Sequence, residues 1–147
     1  MDNLRVQVYV PRVNKIDHIG IAVNSLADAV PVFSALLGSN VSGTEDVPSE
    51  GVRVAFFGAG TGRVELLEAT GPDSPVARFL ARRGEGVHHL CLAVVDLEAA
   101  LERAEAAGLR ALEPRIREGA GGHRVAFLHP GTTSGVLIEL SEAGGAP

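Results

Sequence analysis

The sequence predicts an α+β fold of two repeated βαβββ-like modules, and three observations predict it. The first is an internal repeat. Asp17-His18-Ile19-Gly20-Ile21-Ala22-Val23 returns 71 positions later as His88-His89-Leu90-Cys91-Leu92-Ala93-Val94. Arg53-Val54-Ala55-Phe56-Phe57 returns at the same offset as Arg124-Val125-Ala126-Phe127-Leu128, and Val64-Glu65-Leu66 returns slightly later as Ile138-Glu139-Leu140. The second is the alternation, in both halves, of short β-type runs with capped helix-type segments. The third is chemical. Each half supplies one histidine and one glutamate at matching places, His18 with Glu65 and His89 with Glu139, which is a way to build a four-ligand metal site between them.

Composition narrows the class. A chain of 147 residues, 46% of them hydrophobic, is long enough for one domain with its own core. The formal net charge of −5 argues against a nucleic-acid partner, which calls for a basic patch. One cysteine, Cys91, precludes an intrachain disulfide and fits a reducing compartment. No apolar run approaches a membrane span. Met1-Asp2-Asn3-Leu4-Arg5 lacks the basic, apolar and small-residue succession of a signal peptide. The expectation is a soluble, cytoplasmic protein with no membrane partner.

Residues 1–15 read as an extension in which Val6, Val8 and Val10 alternate as in a strand until Pro11 interrupts. The rest, 16–141, reads as one domain. Its first module, about 16–70, opens with a strand over Ile16–Val23. Ser25 and Asp28 then form a capping pair for a helix ending near Gly38. Pro31 removes a backbone donor inside that helix and predicts a kink or a late start. A candidate strand at Val41–Asp46 precedes a hairpin of Val52–Phe57 and Arg63–Glu68, joined by Gly58-Ala59-Gly60-Thr61-Gly62.

A connecting helix, about 74–84, has Ser74 as cap, Pro75 at its first position and Gly84 past its end. Helical spacing puts Arg78, Arg82 and Arg83 on a largely exposed face. The second module, about 86–141, repeats the plan. A strand over Val87–Val94 leads to a helix over Leu97–Ala107, capped by Asp96 and stopped at Gly108. Leu97, Leu101 and Ala104 form its apolar stripe. A candidate strand at Glu113–Glu118 and a glycine-rich loop lead to strands at Arg124–Leu128 and Gly135–Leu140, around a His129-Pro130-Gly131 turn. Residues 142–147 read as a loose tail.

Strand alternation sorts the candidates. His18 shares a face with Gly20 and Ala22, and His89 shares one with Cys91 and Ala93. The opposite faces, Ile19-Ile21-Val23 and Leu90-Leu92-Val94, are bulky and suit packing under helices. A face of small residues around a histidine leaves space that an ordinary core would fill. Glu65 and Glu139 interrupt apolar strands, and carboxylates are rarely buried unless paired or bound to metal. Any one of these residues is well explained as a hydrogen-bonded core or edge residue; four in repeat-related places are not. The remaining candidates take plainer readings. Alternation points His88 away from the site, Cys91 is a small apolar filler, and His129 belongs to a turn. His123, beside a glycine run, is the one further residue that could face a ligand.

Ile16-Asp17-His18-Ile19-Gly20-Ile21-Ala22-Val23, Gly86-Val87-His88-His89-Leu90, and Phe127-Leu128-His129-Pro130 with Gly135-Val136-Leu137-Ile138-Glu139-Leu140 resemble the methylmalonyl-CoA epimerase family. That family lies in the vicinal-oxygen-chelate superfamily alongside glyoxalase I, and the resemblance runs from Ile16 to Ser141. It implies paired βαβββ modules in a cupped mixed sheet around a divalent metal, an acyl-CoA substrate and a homodimer. Carried over by position, the metal ligands are His18, Glu65, His89 and Glu139. The chain departs from the pattern twice. Some epimerases have Gln in place of Glu65, and some members carry an additional catalytic acid where this chain has Val54.

The implied reaction removes and returns the proton on a carbon between a carboxylate and a thioester. Two imidazoles and two carboxylates suit Co, Mn, Ni or Zn. Proton transfer on both faces is easiest with two bases; Glu139 is one, Glu65 its leading partner, and Glu50 follows. His123 is the candidate substrate contact. Glyoxalase I is the nearest alternative, because the same ligands serve it. A metal-free binding or resistance protein of this fold is a further one, disfavoured by zero Trp, one Tyr and five Phe. An extradiol dioxygenase ranks last. The arginines of the connecting helix read equally as phosphate contacts for CoA and as a solvated face.

Overall fold

Each half starts with a strand that launches a capped helix and then returns through a hairpin. The computed structural model describes residues 15–142; the strand expected at Val6–Val10 lies outside them, as does the expected tail apart from Glu142. The first half contains β1 (Ile16–Ala22), α1 (Leu26–Leu37), β2 (Gly43–Val47), β3 (Val52–Phe57) and β4 (Arg63–Ala69). After α2 (Pro75–Arg83) come β5 (Gly86–Val94), α3 (Leu97–Ala106), β6 (Arg117–Glu118), β7 (Arg124–Leu128) and β8 (Ile138–Glu142). Short 3-10 turns cover Pro48–Glu50, Ala120–Gly122 and Pro130–Thr132.

The strands form one mixed sheet in the order β2-β3-β4-β1-β5-β8-β7-β6. The order reads alike from either edge when the halves are exchanged. β1 runs parallel to β4, and β5 to β8, while β1 and β5 meet antiparallel at the central seam. A cavity walled by β1, β3, β4, β5, β7 and β8 marks the concave face.

Local sequence explains the helix ends. Ser25, Ser74 and Asp96 accept from the backbone N–H three residues on, each satisfying a donor the helix leaves unpaired. α1 closes at Gly38, whose φ of 66° is left-handed. It starts at Leu26 and continues through Pro31, so the late start does not occur. Both halves add a cap that no local pattern reveals. Glu68 Oε1 accepts from Leu26 N at 3.1 Å, and its counterpart Glu142 Oε2 accepts from Leu97 N at 2.9 Å. Glu142 therefore belongs to β8, which also starts later than Gly135. The strand expected across Glu113–Glu118 shrinks to Arg117–Glu118, paired at the sheet's edge.

Two helices cover the convex face. Leu66, Ala55 and Phe57 pack with Leu26 beneath α1, and Leu97 and Leu101 of α3 pack on Ala126, Leu128 and Leu140. Near α2, Val76 joins Ala22, Val54 and Leu67. The cover stops short of the seam. Ile19, in register with Leu90, is 37% exposed, so the bulky face is helix-covered only toward its ends. No helix among the described residues is long and apolar enough to cross a membrane.

Removing either inter-element cap should loosen one helix start. Glu68→Ala and Glu142→Ala are each expected to cost about 1 kcal/mol in urea unfolding. The double variant should lose the sum to within about 0.5 kcal/mol, because the caps serve separate helices.

Candidate metal centre

Register brings four strands to one point. Across the seam His18 stands opposite Cys91, and His89 opposite Gly20. On the flanking strands Glu65 is in register with Gly20 and Glu139 with Cys91. Each histidine therefore faces a small residue across the seam, in addition to the small neighbours that alternation gives it along its own strand. At Gly20 the space is obligatory: a Cβ there would lie 2.2 Å from Cε1 of His89.

Both seam strands also bulge one residue before their histidine. The pairing slips at Asp17 on β1 and at His88 on β5. A bulge interrupts the two-residue alternation, and both residues wall the cavity together with His18 and His89. His88 thus does not point away from the site; its Nδ1 lies 2.9 Å from Nδ1 of His89.

His18, Glu65, His89 and Glu139 are all buried, at 3–7% exposure. Nε2 of His18 and Nε2 of His89 are 3.0 Å apart, and Glu139 Oε1 lies 3.2 and 3.3 Å from them. Neither contact to Oε1 is aligned as a hydrogen bond, so that buried oxygen has no partner among the described residues. Ligands about 2.1 Å from an ion and at right angles are about 3 Å apart. The three donor atoms have that spacing, and a cation would satisfy the orphaned oxygen. The residues fit a divalent metal.

Glu65 stands one step aside. Its Oε2 is 3.0 Å from His18 Nδ1, the nitrogen turned away from Glu139, and accepts from Arg63 Nη2 at 2.9 Å. Arg63 donates equally to Asp17, whose Oδ2 is 2.7 Å from the same Nδ1. Asp17 and Arg63 are thus parts of the site; the bulge hides Asp17 from strand alternation, whereas Arg63, two residues before Glu65 on β4, shares its face. The sequence signal for Asp17 is its place beside His18 in the repeat, matching His88 beside His89.

The electrostatics ask for positive charge. Burial opposes protonation of His18, but Asp17, Glu139 and Glu65 outweigh it and raise its pKa to about 9. Burial would raise the Glu139 carboxyl, yet the two imidazoles hold it far below the usual range. His88 is pushed down to about 4 by burial and by His89. Burial keeps Cys91 a protonated thiol, in line with a filler role.

The cavity has a volume of about 80 Å³, room for roughly half a dozen waters. Apolar residues, including Val54, Leu67 and Phe127, form much of its wall. Glu50 reaches it from the turn before β3, bridged by Arg117 Nη1 at 3.3 Å. Burial raises the Glu50 carboxyl against the pull of that arginine. His123 is exposed and lies on the same cavity's rim. His129 closes its own turn, with Nδ1 accepting from Gly131 N.

Comparison with known proteins agrees with this architecture. The sequence profile described as Glyoxalase/Bleomycin resistance protein/Dioxygenase superfamily matches residues 17–127. An ethylmalonyl-CoA/methylmalonyl-CoA epimerase of Cereibacter sphaeroides is 39% identical, over 88% of this chain and 98% of its own. The mitochondrial methylmalonyl-CoA epimerase of Homo sapiens is 38% identical, over 88% and 74%. A structure of the Streptomyces coelicolor methylmalonyl-CoA epimerase, a variant in complex with 2-nitronate-propionyl-CoA, superposes with a TM-score of 0.85. It is 37% identical and covers 91% of this chain and 100% of its own.

Gly20→Ala should push the His89 imidazole off the shared point and weaken Co2+ or Zn2+ binding by about 10–100-fold, read by competition with a chromophoric chelator. Ile21→Val, on the opposite face, should leave that affinity unchanged. Metal at a hundred times its dissociation constant should add about 2.7 kcal/mol to the unfolding free energy. His89→Ala is expected to remove most of that gain.

Proposed function

The chain belongs to the methylmalonyl-CoA epimerase family of the glyoxalase/bleomycin resistance protein/dioxygenase superfamily, and from that membership we propose that it interconverts (2R)- and (2S)-methylmalonyl-CoA. The proton in question sits on a carbon between a carboxylate and a thioester. Its removal leaves a planar enolate, and its return to the other face inverts the centre. The observation that carries this reading is the meeting of Glu139 with two imidazoles in a buried cavity that Glu50 also lines.

A divalent cation would be held by His18, His89 and Glu139, with Glu65 as fourth ligand once it turns from His18 Nδ1 and Arg63, and would supply Lewis acidity for charge developing on the substrate's oxygens. Co, Mn, Ni and Zn all suit this donor set. Asp17 orients His18 by accepting from its Nδ1, the kind of outer partner that fixes a ligating ring. Glu139 handles the proton on one face. For the other face the geometry supports Glu50 over Glu65, reversing the order that symmetry suggests. Oε2 of Glu65 is already committed to His18 and Arg63. Glu50 is only partly buried, and burial raises its proton affinity toward the range useful for proton transfer near neutral pH. Val54 occupies the wall where some relatives carry an acid, and Glu50 shares that wall. His123 on the rim is positioned as a substrate contact.

We read the enzyme as a cytoplasmic homodimer. The lone buried cysteine suits a reducing compartment. Val32 and Leu36, one turn apart on α1, are 62% and 72% exposed and offer apolar area for a partner.

Incubation of the metal-loaded protein with methylmalonyl-CoA in D2O, followed by NMR, tests the reading. Wild type should wash deuterium into the α position, and chelation should stop it. Glu50→Gln should lower epimerisation by about 10²–10⁴-fold, while Glu65→Gln should stay within about tenfold of wild type. The reverse order would return the second base to Glu65. No exchange, together with turnover of the methylglyoxal–glutathione adduct, would replace the epimerase reading with glyoxalase I.

A further inference from the structure

Among the described residues Glu50 is the only carboxylate that lines both the metal cavity and a second cleft of about 420 Å³ on its other side. Glu45, Asp46 and Glu118 line that cleft with it, against the single cation Arg117, whereas the cleft along α2 is lined by arginines. Arg117 lines the cleft and not the cavity, so it meets Glu50 from the side away from the metal ligands. Two of the other carboxylates are held elsewhere. Asp46 accepts from Arg53 Nε at 2.8 Å, and Glu45 accepts from Gly121 N at 3.0 Å. Arg117 directs its charge to Glu50, with Nη1 3.3 Å from Oε1.

The partners come from opposite ends of the strand order. Glu50 closes the turn after β2, and Arg117 opens β6. The sheet curls until these edges face each other, and Ser49 Oγ donates to the Glu118 carbonyl oxygen beside the ion pair. The guanidinium is fixed on two further sides. Its Nη2 donates to the Glu113 carbonyl oxygen at 3.0 Å, and it lies 5.3 Å from the centre of the Phe127 ring. Phe127 in turn packs edge-on against His89. Yet Nε of Arg117 is buried with no partner among the described residues. A buried donor left unpaired costs free energy, so stability alone does not account for an arginine here.

We propose that Arg117 is the positioning residue of Glu50, holding its carboxylate aimed into the cavity through the Nη1–Oε1 contact without itself touching the substrate. The proposal rests on the epimerase reading above, in which Glu50 serves one face of the enolate. The same contact moderates the charge of the carboxylate. Burial raises the Glu50 carboxyl, Arg117 pulls it back down, and across the cavity Glu139 adds to the rise while His89 opposes it. His123 on the rim and Glu118 across the cleft are the other titratable groups beside it. Arg117 therefore sets both the direction of Glu50 and its readiness to lose a proton.

Two measurements on the full-length, metal-loaded protein test the assignment. In the first, epimerisation of methylmalonyl-CoA is followed for wild type, Arg117→Met, Glu50→Gln and the double variant. Arg117→Met should lower kcat by up to about 100-fold while KM stays within about twofold, because a displaced base slows chemistry and not binding. In the Glu50→Gln background the same change should cost less than about threefold, since residues that act as a unit are not additive. In the second, the Glu50 side-chain carboxyl is titrated by carbon NMR, its signal identified by its loss in Glu50→Gln. The midpoint should rise in Arg117→Met and return toward wild type in Arg117→Lys, which keeps the charge. An unmoved midpoint in Arg117→Met, or equal fold losses in the two backgrounds, would overturn the proposal. So would a raised KM at unchanged kcat, which would make Arg117 a substrate contact. Wild type that does not epimerise methylmalonyl-CoA would instead overturn the epimerase reading, and the titration would still decide whether Arg117 governs Glu50.

Discussion

The antiparallel seam between β1 and β5 is the constraint from which the rest follows. Among the described residues it is the only pairing that joins the two halves within the sheet, and its register decides what faces what. Because His89 lies over Gly20, with no room for even a methyl group, the two imidazoles can point at one place rather than pass each other. The parallel strands β4 and β8 then deliver Glu65 and Glu139 alongside. A slip of one residue would turn the whole histidine-bearing face outward. Fold and site are therefore set by the same backbone hydrogen bonds.

A buried group of two histidines and several carboxylates is an incomplete electrostatic arrangement. Taking Asp17, Glu65 and Glu139 out of water is costly unless opposite charge accompanies them. Arg63 answers for Asp17 and Glu65 together. For Glu139 the available counter-charge is a protonated His18, which explains why that imidazole holds its proton so firmly. A cation between Glu139 and the histidines would take over that role. A cation held there would satisfy the buried oxygen of Glu139 and the close pair of His18 and His89 nitrogens together.

The symmetry is broken where chemistry needs a difference. The two bulge residues occupy matching places but are an aspartate on one side and a histidine on the other, so only His18 has a carboxylate on its Nδ1. Glu65 is clamped by Arg63, whereas Glu139 has no arginine partner among the described residues. Arg117, from the far edge strand, reaches across to Glu50 of the first half. The clefts leading away differ too, basic along α2 and acidic beside Glu50. A duplicated scaffold thus presents unlike surroundings to the two ends and two faces of a substrate.

The sequence by itself determined the module plan, the helix caps and the placement of His18, Glu65, His89 and Glu139 on inward-facing strand positions. Those features are written in local patterns: a repeat, a two-residue alternation, and serine, proline or glycine at helix ends. Tertiary structure alone decided the rest. The bulges that turn Asp17 and His88 inward arise from pairing with a strand some seventy residues away, and no local pattern carries that information. The caps from Glu68 and Glu142, the contact of Arg63 with Asp17 and the bridge from Arg117 to Glu50 likewise join distant segments. Strand periodicity says which way a side chain faces. Only the packed sheet determines which atoms it meets there, because distances between strands are set by register and by the space that small residues such as Gly20 leave open.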